Sequence, residues 1–488
     1  MSAQSLSTLR RSAVVLGAAL LLSYAYFYQA GGWNQNTRFA LVRAIIEHRS
    51  IQIDPYAEST GDRSLWQGHY YSDKAPGASL LALPPVAAAR AIGRSQGILP
   101  ASRKGVALAS YVATVATSGI FTVIAALGVF WLSLRWGASR PAALFAASGY
   151  GLATPAWSYA TVFVGHSVTS GFLVAAFASA VALPDNPRYY TRQAWLVGLL
   201  CGLAVVTEFP AAPAVVIIVL LAVAGAYATE RSATLRVTAI IVAAGALMAL
   251  ILFWYHNAAF GSPFRLGYGN EDNAEGLRMQ QHGLFGIGQP TWHITYEVLL
   301  GAYRGLLPLA PLLAVAPLGL VYLARARAQW RPMLAAAGIA GYYLLLNISY
   351  TYWEGGWFVG PRHLLPGLAF AALGLAPLWD AGRTWGRVLL VAGWLWGAGA
   401  GLVAVSTTPQ PPSNIMRPMA ELLWPAFREG DLSLNHQTFL DYGADPDRLR
   451  HNPAAHASWN LGQLAGLHGL VSLLPLLAVW GLAALLLL

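Results

Sequence analysis

Long apolar runs recur from one end of the 488-residue chain to the other. A transmembrane helix needs about 20 consecutive apolar residues, and most of these runs approach that length. The pattern predicts an all-α polytopic membrane protein with about twelve transmembrane helices, or eleven to thirteen if ambiguous runs are counted differently. The predicted spans are residues 12–30, 105–133, 142–158, 165–183, 195–209, 211–228, 237–256, 296–322, 333–350, 364–379, 389–406 and 467–487.

A thirteenth apolar stretch, residues 76–92, is short and is interrupted by two adjacent prolines. Charge indicates whether it crosses, because cytoplasmic loops are enriched in lysine and arginine. If it does not cross, thirteen arginines fall on the side of the N-terminus, whereas the short loops of the other side hold only three. We therefore predict that residues 31–104 form one long outer loop, with 76–92 on the outer surface or dipping into it. Both termini are then cytoplasmic.

The outer side is predicted to carry four substantial segments, whereas the inner loops are short, so we expect the chemistry outside. Within the first segment, apolar and charged residues from Phe39 to His48 alternate with amphipathic spacing, which suits a helix lying in the membrane interface. No soluble domain is attached, and residues 1–488 are predicted to form a single integral membrane domain. The segments are 31–104, which contains the juxtamembrane helices and the expected active site, 257–295, 351–363, and 407–466, which precedes the last span.

Composition supports a membrane protein and excludes several other classes. Hydrophobic residues make up 56% of the chain and charged residues only 10%, against about 25% charged residues in soluble domains. The single cysteine, Cys201, lies in an apolar run, which excludes an internal disulfide and a cysteine-based metal site. The net charge of +10 comes mostly from short-loop arginines that the topology requires, so nucleic acid is not an expected partner.

Ionisable residues are rare inside the predicted spans and lie toward their outer ends. They are Glu208, Glu297 and Arg304, and the last two, seven positions apart on one helix face, could pair with each other. Ion-coupled transporters usually need ionisable groups near the membrane midplane, at broken helices. Their scarcity in this sequence argues against that class, although not against a lipid flippase.

A polar stretch of the first outer loop runs from Gly68 to Gly77, with the sequence GHYYSDKAPG. Together with Thr37-Arg38-Phe39-Ala40 and Ile51-Gln52-Ile53-Asp54-Pro55, it resembles the first outer loop of the GT-C superfamily, membrane glycosyltransferases that use polyprenyl-phosphate sugars. In particular it resembles that of the lipid A aminoarabinose transferases and of the bacterial relatives of protein O-mannosyltransferases. Three later segments also resemble bacterial members of the superfamily: Phe260–Tyr268, Tyr303–Leu306 and Gly360–Pro366.

The resemblance implies an inverting transferase with a GT-C fold. Such an enzyme would take a sugar from a polyprenyl-phosphate donor and attach it to a cell-envelope acceptor, which could be a lipid, a glycan or a protein. The reaction would occur at the extracytoplasmic face of the bacterial inner (plasma) membrane.

The chain departs from the superfamily pattern at one important position. Where the superfamily has an acidic pair before Thr-Arg, this chain has Gln35-Asn36. Asp73-Lys74 matches the later acidic-lysine element, with Ala75-Pro76 in place of two prolines. Either another acid does the work of the missing pair, or the chain is not an active transferase of the usual kind.

Sugar transfer from a lipid phosphate needs a carboxylate to take the acceptor's proton and cations to hold the leaving phosphate. Polar or aromatic groups must also hold the sugar. The catalytic candidates are Asp73, which the motif favours, and Asp62 and Asp54 in the same loop. Asp73 has a structural alternative, as a cap of the helix predicted to start near Pro76.

Several residues are candidates for binding the donor, its phosphate or the acceptor. Lys74 matches the superfamily lysine, while Arg362 and His363 open a span at the outer interface, where they could bind a lipid phosphate or simply anchor the helix. Some superfamily members use a divalent cation, so metal binding through acids and His69 stays open. No spacing is diagnostic, and neither a metal site nor another cofactor is predicted. The remaining candidates are Arg304, Arg265, His69, Tyr71, His166 and Glu354.

Two other functions stay open. One is a flippase or transporter of a lipid-linked precursor, and the other is a non-catalytic GT-C-like subunit that binds prenyl phosphate. Gln35-Asn36 favours the second of these. An active transferase requires that one of the three candidate aspartates meet Lys74 and Arg362 in space.

Overall fold

The computed structural model describes residues 3–326, 329–435 and 458–487. Among these residues, nine helices are long and apolar enough to cross a membrane, and Leu312–Ala326 is a shorter apolar helix. The predicted all-α polytopic architecture is confirmed, whereas the count of twelve spans stays a prediction. The nine are Ser7–Ala25, Arg103–Arg135, Gly165–Asp185, Phe209–Thr229, Arg231–Phe260, Trp330–Ser349, Arg362–Ala381, Thr384–Ser406 and Gly469–Leu487.

Among the described residues, most helical segments are α-helices, and three short π-helical turns adjoin some of them. The π-helical turns are Ala44–His48, Val115–Gly119 and Met419–Leu423. The α-helices are Ala3–Ala25, Trp33–Arg43, Gly77–Ser95, Arg103–Thr114, Ile120–Arg135, Arg140–Leu152, Ala156–Ala160, Gly165–Ala182, Tyr190–Thr207, Ala212–Thr229, Thr234–Phe260, Ala274–Gln281, Trp292–Leu299, Leu306–Leu309, Leu312–Ala326, Trp330–Ser349, Leu365–Ala372, Leu375–Ala381, Thr384–Ser406, Trp424–Glu429, Leu461–Leu464 and Leu474–Leu487.

Residues 296–322 do not form the single span that their hydrophobicity predicts. Helix Trp292–Leu299 ends well before helix Leu312–Ala326 begins, and the chain between them holds only one short helical turn. Pro308 and Pro311 lie in this stretch, and a proline supplies no amide donor to a helix. The hydrophobic pattern could not distinguish a continuous span from two helices with an irregular connection.

Residues 76–92 form helix Gly77–Ser95, which includes both prolines. This helix is not among the nine candidate spans. It packs against helices Arg103–Thr114 and Trp33–Arg43. That it lies on the membrane surface without crossing stays a prediction.

Helix Trp33–Arg43 differs from the expected interfacial helix. All its residues from Asn34 to Arg43 are buried, including the polar and charged ones. The reason is that other segments cover its polar side: Thr37 Oγ1 donates to Ser72 Oγ at 3.1 Å, and Arg38 is buried among carbonyl and carboxylate oxygens. The polar residues of the alternating pattern therefore contact other polar groups of the protein and not water.

Two small antiparallel sheets connect strands of the loops. Strands Phe27–Tyr28 and Trp459–Asn460 pair with each other. Strands Arg63–Trp66 and His69–Ser72 form a hairpin, in which Arg63 is opposite Ser72 and Trp66 is opposite His69. Gln67 and Gly68 form its two-residue turn with φ of 52° and 83°, the positive values that tight hairpin turns need.

Three segments meet at one end of the helix bundle, which we call the loop end. They are residues 26–102, 261–291 and 350–361. Glu271 pairs with Ser64 of the hairpin, and Ile287 pairs with Tyr350, as isolated antiparallel bridges. The predicted 407–466 segment also contributes, although its residues 436–457 lie outside the described residues.

A buried ion pair joins the first of these segments to the transmembrane helices. Arg38 Nη2 lies 2.6 Å from Glu208 Oε1, with side-chain exposures of 1% and 8%. Arg38 Nη1 donates to the carbonyl of Ala75 and Nε donates to Asn34 Oδ1, both at 3.2 Å. Ser79 Oγ donates to the carbonyl of Arg38 at 2.9 Å. One guanidinium thus connects helix, loop and membrane bundle.

Truncation of this arginine is expected to be severe, because it leaves the Glu208 carboxylate buried without a partner. We expect Arg38→Ala to lower the free energy of unfolding by about 3–5 kcal/mol, measured by chemical denaturation in detergent micelles. The double variant Arg38→Met/Glu208→Leu removes both charges, so its free energy of unfolding should fall less than that of Arg38→Ala alone. The exposed Arg383→Ala is the matched control, and equal losses in Arg38→Ala and Arg383→Ala would contradict the role of the pair.

Candidate active site

The hairpin brings two of the predicted aspartates together. Arg63 is opposite Ser72 in its register, so the residues just beyond that pair, Asp62 and Asp73, are also neighbours. Asp73 is 1% exposed, and its Oδ2 accepts from Lys74 Nζ at 2.5 Å. Lys74 Nζ also lies 3.1 Å from Asp62 Oδ2. The first loop therefore builds a carboxylate–ammonium–carboxylate cluster from residues that are close in the hairpin.

A third carboxylate, Glu271, comes from the second loop segment. Its backbone bridges to the hairpin, and oxygens of Asp62, Asp73 and Glu271 all lie within 4.8 Å of one another. Gly267 permits this approach, because a Cβ there would lie 2.9 Å from Asp73 Cα. Sequence reasoning missed Glu271, which is separated from Asp73 by almost 200 residues. The one available signal was an acidic residue in a predicted outer loop.

Burial sets the protonation of this cluster. It raises the pKa of Asp73 to about 6, against the lowering effect of the Lys74 ammonium, and Asp62 raises it further. Burial also raises the pKa of Glu271 to about 8. Burial lowers the pKa of Lys74, but Asp62 and Asp73 hold it well above its ordinary value. Near pH 7, Asp73 is mostly ionised, Glu271 mostly neutral and Lys74 charged. We call these four residues the acidic pole.

Two arginines form a second group, which we call the basic pole. Arg304 is 1% exposed and donates to the carbonyls of Gly356 at 3.0 Å and Tyr303 at 3.3 Å. Its Nε and that of Arg362 are buried without a hydrogen-bond partner. Among the described residues, neither guanidinium forms an ion pair within 4.0 Å, so Arg304 and Glu297, which the sequence allowed to pair, do not do so.

Tyr352 lies within electrostatic reach of both poles. Burial raises its pKa to about 12, Arg362 and Lys74 lower it, and Asp62 and Glu354 raise it. Such effects decay with distance, so charges from both poles lie within electrostatic range of this hydroxyl. The guanidinium carbon of Arg362 is 6.0 Å from the centre of the Tyr352 ring. Lys74 contacts Asp62 and Asp73 directly, and the Arg362 charge acts together with theirs on Tyr352.

Two histidines adjoin this arrangement. The ring of His363 is 5.8 Å from that of His166 and 4.7 Å from that of Tyr350. His363 Nε2 is hydrogen-bonded to the carbonyl of Tyr352 at 3.2 Å. His166 Nδ1 lies 3.6 Å from Glu208 Oε1, beside the buried ion pair. Both predicted histidines of the spans therefore lie near the loop segments.

Other predicted site residues have partners outside the two poles. Asp54 Oδ2 is 2.8 Å from His69 Nδ1 near the hairpin turn, where both side chains are exposed. The ring of Tyr71 packs 5.6 Å from that of Phe260. Arg265 donates to the carbonyl of Phe260 at 2.7 Å and covers the ring of Trp66. Of these contacts, that of Arg265 with Trp66 joins the two loop segments.

Gln35 and Asn36, which replace the acidic pair, are buried and hydrogen-bonded. Gln35 Nε2 donates to Gln410 Oε1 at 2.8 Å, and Gln410 Nε2 donates to Gln35 Oε1 at 3.2 Å. Asn435 Nδ2 donates to the same Gln410 oxygen at 2.7 Å. Asn36 Nδ2 donates to the carbonyl of Ser59 at 2.6 Å. In this chain the position supports a neutral amide network that reaches the segment after residue 407.

The fold is similar to that of two solved glycosyltransferases. ArnT from Cupriavidus metallidurans bound to undecaprenyl phosphate aligns with a TM-score of 0.54 at 15% identity, over 93% of this chain and 75% of ArnT. Its apo state gives 0.51 at 16% identity, over 93% and 74%. The archaeal oligosaccharyltransferase AglB from Archaeoglobus fulgidus, in complex with an inhibitory peptide and a dolichol-phosphate, gives 0.53 at 14% identity, over 91% of this chain and 61% of AglB.

These similarities show the fold and confirm the resemblance at that level. The chain has a GT-C-like fold. No protein-family model matches it, and no curated protein matches it by sequence.

The close approach at Gly267 provides a test of how the acidic pole is assembled. We expect Gly267→Ala to lower the free energy of unfolding by about 1–3 kcal/mol, because the new Cβ would lie 2.9 Å from Asp73 Cα and 3.0 Å from its carbonyl oxygen. Gly269→Ala is the matched control, since a Cβ there meets nothing within 4 Å. Denaturation curves of the two variants compare them directly, and indistinguishable curves would show that the second segment does not press on Asp73.

Proposed function

We propose that the protein is a glycosyltransferase that moves a sugar from a polyprenyl-phosphate donor to a cell-envelope acceptor. We place the reaction at the loop end, on the extracytoplasmic face of a bacterial inner membrane. The observation that carries the proposal is the combination, in a GT-C-like fold, of an acidic pole with a basic pole whose Nε atoms lack hydrogen-bond partners, with charges of both poles acting on Tyr352. ArnT and AglB, which have this fold, were solved with polyprenyl phosphates, which supports the choice of donor.

The basic pole fits the leaving phosphate. Neither guanidinium has a carboxylate within ion-pair distance, although Glu354 lies within electrostatic reach of both. An anion that arrives there can accept hydrogen bonds from the buried Nε atoms, which lack partners. Arginine also binds phosphate through two parallel N–H donors. We assign Arg304 and Arg362 to the donor phosphate, with His363 beside them. As charge develops on the departing phosphate, these fixed cations stabilise it.

The acidic pole fits the activation of the acceptor. Asp73 Oδ2 is held by Lys74, whereas Oδ1 is buried without a partner and is free to accept a proton. We propose that the acceptor hydroxyl oxygen attacks the anomeric carbon while its proton moves to Asp73 Oδ1. The bond from that carbon to the phosphate oxygen breaks, and its electron pair leaves with the polyprenyl phosphate. A single base with an in-line leaving group inverts the anomeric configuration.

The other acids take supporting roles in this scheme. Asp62 holds the Lys74 ammonium from the opposite side, and Asp54 is engaged with His69 near the hairpin turn. Glu271 is mostly neutral near pH 7 because burial raises its pKa to about 8, so it can donate a hydrogen bond to a sugar hydroxyl. The Lys74 ammonium contacts both Asp62 and Asp73 and so orients Asp73. It contributes to phosphate binding mainly through its positive charge, without direct contact.

Loss of the base and loss of a phosphate cation should have different kinetic signatures. We expect Asp73→Asn to lower kcat by about 10²–10⁴-fold, as for the loss of a general base, with little change in donor affinity. We expect Arg362→Ala to weaken donor binding by about tenfold or more, because a charge-assisted contact is lost. Transfer assays with polyprenyl-phosphate sugars, together with binding of polyprenyl phosphate alone, separate the two effects.

Matched controls are available in the same loop. Glu58 is 98% exposed and Arg94 is also exposed, so Glu58→Gln and Arg94→Ala should behave like the wild type. Full activity in Asp73→Asn would refute the assignment of the base. A flippase would move the lipid-linked precursor across proteoliposomes without forming a glycosidic product. A non-catalytic subunit would bind polyprenyl phosphate and do neither.

The pKa shifts predict a bell-shaped dependence of kcat/KM on pH. Below about 6 Asp73 gains a proton and ceases to act as a base, and above about 8 Glu271 loses its proton and its donor function. Rates measured from about pH 5 to about pH 9.5 should show both limbs. Glu271→Gln, which keeps a donor at all pH values, should lose the alkaline limb only. An unchanged alkaline limb in that variant would exclude Glu271 as its source.

A further inference from the structure

The acidic pole has the oxygen ligands that a divalent cation would need, but it already contains a cation of its own. We propose that the Lys74 ammonium is the resident cation of this pole, so that sugar transfer proceeds without a divalent ion. It follows that removal of the ammonium converts the pole into a divalent-cation site. The statement about transfer rests on the proposed function, whereas the statement about cation binding does not.

The position of the ammonium carries the first part of the inference. Lys74 Nζ lies 2.5 Å from Asp73 Oδ2 and 3.1 Å from Asp62 Oδ2. Mg²⁺ and Ca²⁺ bind carboxylate oxygens at about 2.0–2.6 Å. A divalent ion on the same two oxygens would compete with Nζ for their lone pairs and would face its positive charge at close range. The pole as it stands therefore does not fit a metal.

The lysine is held firmly in this position. It follows Asp73 directly, its side chain is only 12% exposed, and its Nζ lies 5.4 Å from the centre of the Tyr268 ring. Burial lowers its pKa, but the surrounding carboxylates raise it well above the ordinary value, so the ammonium stays charged near neutral pH. A free ion exchanges with solution, whereas this cation is covalently attached.

Unused acceptor atoms carry the second part of the inference. Asp73 Oδ1 and Glu271 Oε2 are buried and accept no hydrogen bond, although three carboxylates converge here. One ammonium therefore leaves part of the ligand capacity of the pole unfilled. Once Lys74 is shortened, Asp62, Asp73 and Glu271 offer a set of hard oxygen ligands, which divalent ions such as Mn²⁺ prefer.

The test measures Mn²⁺ binding to the full-length protein in detergent by electron paramagnetic resonance. We expect the wild type to bind no Mn²⁺ at this pole up to about 1 mM, the weak end of protein sites for divalent ions. Lys74→Ala should bind one Mn²⁺ per chain with a Kd at least about tenfold below that limit of about 1 mM. Lys74→Ala/Glu271→Gln should lose this gain in affinity. Lys74→Met, which keeps most of the side-chain volume, serves as a second variant if Lys74→Ala does not fold.

Two controls isolate the effect of the ammonium. Lys74→Arg keeps a positive charge and should not gain Mn²⁺, and Lys104→Ala removes an exposed lysine from a neighbouring helix and should not gain it either. The inference is overturned if the wild type binds Mn²⁺ as tightly as Lys74→Ala, or if folded Lys74→Ala and Lys74→Met bind none.

A transfer assay with chelator separates this inference from the proposed function. Wild-type protein treated with EDTA should keep its transfer activity. If transfer occurs but requires a divalent ion, the inference falls and the proposed function stands. If Lys74→Ala gains Mn²⁺ but the wild type transfers no sugar under any condition, the proposed function falls and the cation assignment stands.

Discussion

The arrangement of the loop end depends on the buried ion pair between Arg38 and Glu208. Glu208 follows the helix that ends at Thr207, and Arg38 belongs to a helix buried under the hairpin. The same guanidinium binds the carbonyl of Ala75, only two residues after Asp73. A charge that cannot reach water must keep its partner, so this contact has few alternatives. The ion pair thus sets where the first carboxylate lies relative to the membrane helices.

The loop end contains buried or half-buried cations in two different states. Arg38 and Lys74 have carboxylate partners, so their charges are used within the protein. Arg304 and Arg362 have carbonyls and aromatic rings around them instead. The difference divides structural cations from cations that are available to an anion. Residue type alone does not make this distinction, because all four belong to similar polar motifs in the sequence.

Much of the architecture follows from hydrophobic runs, but the site follows only in part. The proximity of Asp62 and Asp73 could be predicted once the turn at Gln67-Gly68 is recognised, because register is local. The proximity of Glu271 to these residues could not be predicted, because it depends on a long-range bridge to the hairpin and on a glycine that allows close packing. Periodicity also failed for helix Trp33–Arg43, whose polar face is covered by other polar groups. Both failures concern contacts between segments that are distant in the chain.

The amide network around Gln35 and Gln410 joins the start of the first loop to the segment after residue 407. Amides neither gain nor lose a proton in the range where proteins are folded. This junction therefore does not titrate, whereas Asp73 and Glu271 of the acidic pole do. With amides at this junction, a change of pH alters the charges of the acidic pole but leaves the contact between the two segments in place.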